Sequence, residues 1–384
     1  MPARIPLLSV EESVQRVTAL GFDADWGRLT MSRSLLHQPA AAAVLANVAT
    51  QLLRQPARLE ERLLALIIMR TAHVTGMGLE WRRHLRDLLH PGLSEADMNA
   101  AIEGPHHAGL SPSGQAVLMA VDDVLATGRI HDETWTVWNQ ARPSVEASIE
   151  MVVAVGVWRM ASELILSLDI RPTDHVTPLP PVEEQLPARP QTLFDGSASA
   201  IDRLAPVGVV EAESLCRDHE MSPGLAKSAV WTRMLRHPPV GAALSRQLYH
   251  LLQNGMLSAR LREFVIMRIG WVTGTAYEWT RHWPHAMKAG ITSDELVALR
   301  NWRSAGFGRE ERAVLAATDE TLCMGRVSDA TWVECSAVLE PALRVELLAV
   351  IGTWHLFSQL MRSLAIPLES DALYWQPDGQ GPFG

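Results

Sequence analysis

Glu278 and His282 stand four residues apart in the stretch TAYEWTRH, residues 275–282. On a helix that spacing puts both side chains on one face. A carboxylate beside an imidazole is an acid–base unit, because it fixes the ring tautomer and lifts its pKa toward neutral. Tyr277 adds a phenol that either donates to a substrate oxyanion or packs against Trp279. A plainer reading stands beside this one: Thr275-x-x-Glu278 has the form of a capping box, in which Glu278 satisfies an orphan N–H of its own helix. His282 and His285 are three apart, but Pro284 intervenes and no third ligand is at hand, so no metal is expected. The chain has no G-x-G-x-x-G, Walker loop or G-x-S-x-G. Nucleotide cofactors and a nucleophile elbow therefore have no support, and no cofactor is expected.

The elements that must position these residues are written twice. Residues 68–84 (IMRTAHVTGMGLEWRRH) align without a gap on residues 266–282 (IMRIGWVTGTAYEWTRH), 198 positions later. The register runs on to Gly92 and Gly290. With slips of one residue it continues through Trp135 and Trp332 to Trp158 and Trp354. A repeat of this length predicts two copies of one domain, not a short-period solenoid. Between them, residues 171–206 carry Pro172, Pro178, Pro180, Pro181, Pro187, Pro190 and Pro206. Each internal proline removes a donor and clashes with the preceding turn, so this stretch is expected to be an extended linker. The expected organisation is a first copy over 1–170, the linker over 171–206, a second copy over 207–368 and an irregular tail over 369–384. Apolar spacing in residues 260–270, 310–324 and 343–364 is helical, and no alternation of strand length occurs. The fold class expected is all-α, with six to seven helices per copy. Thr292 with Glu295 forms a capping-box start, and Ser328 begins another helix.

Composition narrows the partners. The chain has 384 residues, 47% hydrophobic and 20% charged, with a formal net charge of −9. It can bury a core, and its acidity argues against nucleic acid or an anionic membrane as partner. No apolar run reaches the roughly 18–20 residues of a membrane span, and the N-terminus lacks a signal-peptide core. Three cysteines (Cys216, Cys323, Cys335) make no disulfide framework and no C-x-x-C. A cytoplasmic protein acting on a small molecule is expected.

A helix ending V-T-G, then E-W-x-x-H, then A-G-[IL]-[TS]-x-x-E resembles the carboxymuconolactone decarboxylase family, which includes the alkylhydroperoxidase D-like proteins. The second copy carries the pattern best, through Glu263, residues 272–274, Glu278, Trp279, His282 and residues 289–292. The resemblance implies a helical bundle in which the helix bearing Glu263 turns back so that its carboxylate approaches His282. It also implies a homo-oligomer. The redox branch of the family resembles Glu…Cys-x-x-Cys-x-x-x-His. Here the two cysteine places hold Thr275 and Glu278, so a thiolate peroxidase is excluded at this site. What remains resembles the decarboxylase branch, which relies on acid–base residues without metal or cofactor.

The first copy departs from the pattern. Glu80, Trp81 and His84 remain, but Ala65 stands at the place of Glu263 and Leu79 at that of Tyr277. A degenerate or altered second site is expected there, drawing on His84, Glu80 and His73. The leading expectation is a cofactor-independent lyase or isomerase: His282 as base oriented by Glu263, with Tyr277 or Glu278 protonating or stabilising an enolate. Decarboxylation, dehydration and double-bond migration all pass through such an intermediate. The alternative is a non-catalytic binding or scaffold protein derived from the family; a thiol peroxidase ranks below both.

Overall fold

The structure, a computed structural model, describes residues 4–54, 58–78, 93–170, 191–196, 202–370 and 372–383. Among these residues it has seventeen α-helices and no strand. In the first half of the chain the order is α1 (Val10–Ala19), α2 (Thr30–Leu35), α3 (Pro39–Arg54) and α4 (Glu61–Thr75). Then come α5 (Glu95–Glu103), α6 (Pro112–Thr127), α7 (Asp132–Gln140) and α8 (Val145–Ser167). The second half runs α9 (Val209–Asp218), α10 (Ala229–Met234), α11 (Pro238–Gln253), α12 (Ala259–Thr273) and α13 (Ala276–Lys288). It closes with α14 (Ser293–Leu299), α15 (Arg309–Met324), α16 (Asp329–Val338) and α17 (Pro341–Ser363). Eight described helices in the first half and nine in the second exceed the six to seven expected. Two of the surplus helices, α2 and α10, have six residues each, too short to show a helical period in the sequence.

Local signals set the boundaries. The Thr292 hydroxyl and the Glu295 carboxylate cap α14 reciprocally, and Ser328 caps α16 by accepting from the Thr331 N–H. Helices α4 and α12 both stop at a glycine in the left-handed region, Gly76 at φ 72° and Gly274 at φ 68°. A Cβ is strained at such an angle. At Gly274 it would also run into the Phe383 ring, so α12 turns sharply into α13 beneath the C-terminal tail.

The two longest helices, α8 and α17, are buried almost all round and pack on each other at the centre. Their close approach depends on Gly156, where a Cβ would meet the Gln359 amide, and on Gly352, where it would meet Met160. Helix α3 of the first half likewise packs on α11 of the second.

Other cross-half contacts recur in reciprocal pairs. Glu150 of α8 accepts from the Leu59 N–H at 2.6 Å and pairs with His237 at 2.7 Å. Glu346 of α17 accepts from the Met256 and Leu257 N–H groups and from the Gln38 amide, at 2.6–2.8 Å. The Ile130 N–H donates to Ser363 Oγ, and the Val327 N–H to Ser167 Oγ. Arg4 lies over the Trp332 ring and Arg203 over the Trp135 ring.

Of the expected linker, residues 191–196 and 202–206 are described. Thr192 is buried, bonded to the Cys323 and Leu125 carbonyls, while Asp195 pairs with Arg129 and Arg362. The tail is irregular, with turns, but it is not loose. Trp279 donates to the Gln376 carbonyl, Arg300 pairs with Asp378, and Trp375 meets Trp271 edge-on and Trp279 at a tilt. No described helix is long and apolar enough to cross a membrane.

Candidate active site

Helices α12 and α13 lie side by side across the Gly274 turn, which brings Glu263 opposite His282. His282 Nδ1 is 2.9 Å from Glu263 Oε2, and Glu263 is only 4% exposed. A carboxylate accepts, so Nδ1 carries the proton and Nε2 presents the lone pair in the neutral ring. Two groups face Nε2. Glu278 Oε2 is 3.5 Å away, and the Trp354 indole N–H donates to it at 3.3 Å from α17.

Burial would by itself lower the His282 pKa. The hydrogen bond and charge of Glu263, joined by the charge of Glu278, outweigh it and hold the pKa above the usual imidazole value. Burial of Glu278, 5% exposed, pushes its carboxyl up to about 7; the charge of His282 pulls it down and that of Glu263 pushes it further up. Glu278 Oε2 and His282 Nε2 are 3.5 Å apart, so the two groups titrate as a coupled pair.

The capping-box reading of Thr275 and Glu278 does not survive. Thr275 is the N-cap of α13 but caps nothing with its side chain; its hydroxyl bonds that of Thr273 at 2.8 Å. Glu278 is thereby left to face the histidine. Tyr277 is engaged away from His282. Its hydroxyl donates to Glu369 at 2.7 Å and pairs with Ser228 at 2.9 Å, and burial raises its pKa. Tyr277 lines a cavity of about 350 Å³ together with Thr275, Met361, Arg362, Ile366 and Tyr374, a lining that does not include Glu263, Glu278 or His282.

Trp354 recurs as Trp158, and a tryptophan present in both halves reads as core first and pocket lining second. Trp354 is indeed buried, 2% exposed, but its N–H points at the histidine. Its recurrence as Trp158 in the first half signalled packing and concealed the contact.

In the first half, Glu80 and His84 lie outside the described residues, as does Trp81. Ala65 is buried in α4 at the place of Glu263. His73 is half-buried in the same helix; burial lowers its pKa, the charge of Arg70 lowers it further and that of Asp122 raises it.

Among the described residues no group of three or more His, Cys, Asp or Glu side chains forms a metal cage. All three thiols have raised pKa values through burial, Cys335 up to about 11, the opposite of an activated thiolate.

Neither the curated proteins nor the solved structures contain a match to this chain. Its second half is recognised. Residues 238–320, spanning α11 to most of α15 and holding Glu263, Glu278 and His282, match the model of the carboxymuconolactone decarboxylase family.

Proposed function

We propose that the chain is a cofactor-independent lyase or isomerase that moves a proton next to a carbonyl or lactone, using the site in its second half. One observation carries this reading: the buried line from Glu263 through His282 to Glu278, with the imidazole tautomer set by the 2.9 Å bond at Nδ1. His282 Nε2 takes the proton from the carbon beside the carbonyl, and the C–H electron pair moves into the enolate. Glu263 stabilises the imidazolium that forms. Glu278, whose pKa of about 7 lets it hold a proton at working pH, returns one to a neighbouring carbon or to a leaving oxygen. The substrate class is a small or polyketide-like acid or lactone. Such general acid–base steps contribute typically about 10²–10⁴-fold to rate.

The test uses a panel of carboxylated lactones and unsaturated keto acids in D₂O, followed by NMR for exchange at the carbon beside the carbonyl. Exchange or turnover is expected with the native protein and is expected to disappear in folded His282→Ala and Glu263→Gln variants. Unchanged turnover in both removes the assignment.

We further infer that the chain is a tandem of two copies, 1–170 and 207–368, and that α8 against α17 replaces an interface that two separate chains would make. The reciprocal pairs at Glu150 and Glu346 support this. A homo-oligomer of such units, located in the cytoplasm, completes the proposal.

A binding or scaffold role is the second reading. It is favoured by the Trp354 N–H resting on Nε2 and by a cavity whose lining omits the histidine. Ligand binding by the panel without any exchange or turnover would select it.

A further inference from the structure

We propose that Trp354 is the oxyanion donor of this site, its indole N–H passing from His282 Nε2 to the substrate's carbonyl oxygen when substrate enters. The inference rests on the acid–base reading above and assigns the role that Tyr277 does not fill.

Donors and acceptors at Nε2 are few enough to count. In the Nδ1–H tautomer Nε2 has one lone pair, and in the present arrangement the Trp354 N–H occupies it. The separation of 3.3 Å is at the long end for an N–H donor, so the bond is weak and exchangeable. A base cannot take a proton while its lone pair is engaged. Substrate must therefore displace the indole N–H before His282 can act. That N–H is a donor only, on a side chain 2% exposed. Leaving it without an acceptor incurs the full desolvation penalty of a buried polar group. The acceptor that a substrate brings is the carbonyl oxygen next to the carbon being deprotonated.

The proton transfer then reinforces the exchange. The C–H bond breaks, the Nε2–H bond forms, and the electron pair moves through the carbonyl onto oxygen. Once Nε2 carries hydrogen, it and the indole are both donors and repel each other. The Nε2–H turns to Glu278 Oε2, 3.5 Å away, while the indole N–H is held by the new enolate oxygen. Charge therefore develops where a donor has just been released. The device also selects substrates: a molecule without a carbonyl beside its acidic carbon leaves the indole unsatisfied. Tyr277 offers no substitute, because its hydroxyl is tied to Glu369 and Ser228.

The test replaces the N–H and keeps the ring. Trp354→Phe is the first variant; β-(3-benzothienyl)alanine at position 354, which exchanges the N–H for sulfur at nearly the same shape, is the second and guards against a packing defect. In the free protein, NMR titration of His282 is read against the groups that face it: Glu263 and Arg262 on α12, Glu278 and His285 on α13. Both variants are expected to shift that titration to higher pH, since the neutral ring loses a donor. Both are expected to lower kcat by about 10²–10³-fold, the usual effect of removing one oxyanion donor, with KM little changed. An unmoved titration, or an unchanged kcat with a moved titration, overturns the proposal. Failure of the underlying reading is separate: turnover that survives His282→Ala sinks the acid–base site whatever Trp354 does.

Discussion

Arg70 in the first half and Arg268 in the second hold the same set of partners. Each forks onto an aspartate (Asp122, Asp319) and caps two carbonyls at the end of a neighbouring helix (Ala101 and Ile102; Leu299 and Arg300). Five residues earlier on the same helices the halves part: Ala65 in one, Glu263 in the other. The contrast separates two kinds of buried polar group. Arg70 and Arg268 satisfy backbone carbonyls that would otherwise be orphaned, so losing either damages the fold. Glu263 satisfies only a histidine, and burying it carries a desolvation cost that alanine avoids. A half with alanine at that place keeps its architecture, because Arg70 still holds the carbonyls.

Making the second half resemble the first is the sharpest way to break that comparison. Glu263→Ala is expected to lower turnover by about 10²–10⁴-fold, the usual weight of a general-base unit. Thermal unfolding should show the protein still folded, as Ala65 is in its own helix. The reverse change, Ala65→Glu, buries a carboxylate at a place 4% exposed and is expected to lower the melting temperature. If Glu263→Ala retains full activity in a verified assay, the inequality of the two sites has no chemical meaning.

The shared architecture gives the next largest effect. The Asp319 side chain is 10% exposed and that of Asp122 32%. Asp319 also holds the Trp302 indole and Arg303. Removing it strands the buried guanidinium of Arg268, which costs about 3–5 kcal/mol. Asp122→Ala should cost clearly less, because water reaches that pair and screens it. Denaturant unfolding of the two variants measures the difference, and equal losses would show that burial does not set the value of these pairs.

These contrasts explain what could be read from residues alone. The helical class and the Glu263–His282 pairing were legible because each leaves a periodic or motif trace within a short span. The interactions that correct the site do not. Tyr277 reaches Glu369, Trp279 reaches Gln376, and Trp354 reaches His282, partners 72 to 97 positions apart with no shared motif. The Gly/Pro-rich tail announces an irregular backbone, but nothing in its composition says that it will lie across α12 and α13. The Thr275–Glu278 capping pattern misleads for a related reason. A threonine hydroxyl has several acceptors in reach, and Thr273 two residues away wins.

Protonation offers a smaller effect with opposite signs in the two halves. Glu278 titrates near 7 in the folded protein against 4.5 ordinarily. The native state thus binds more protons than the unfolded chain between those values, and stability falls as pH rises through the window. His282 acts in the same sense: its raised pKa gives stability that is complete below 6.5 and is lost as pH climbs through the folded value. His73 acts oppositely. Its pKa is lowered, so the unfolded chain binds the proton more readily and stability falls as pH drops through 6.5. Glu278→Gln should therefore remove a fall in melting temperature between pH 5 and about 7, and His73→Gln should remove a rise over the range below 6.5. Curves that stay parallel to that of the native protein would show that neither group is coupled to folding.

The smallest expected effect probes the two clasps between the halves. His237 donates to Glu150 at 2.7 Å where Gln38 donates to Glu346 at 2.6 Å, and each carboxylate also accepts backbone N–H groups from the loop before α4 or α12. Either side chain supplies one donor to a buried carboxylate. If the clasps follow one plan, His237→Gln turns the first into a copy of the second, and stability changes by less than about 1 kcal/mol. His237→Ala removes the donor from a buried oxygen and should cost about 1–3 kcal/mol. A glutamine variant as damaged as the alanine variant would mean that the imidazole ring itself is required there. The recurrence of contacts across the two halves would then hold in sequence position without holding in geometry, and the argument that one half can be read from the other would lose its support at the interface where it is strongest.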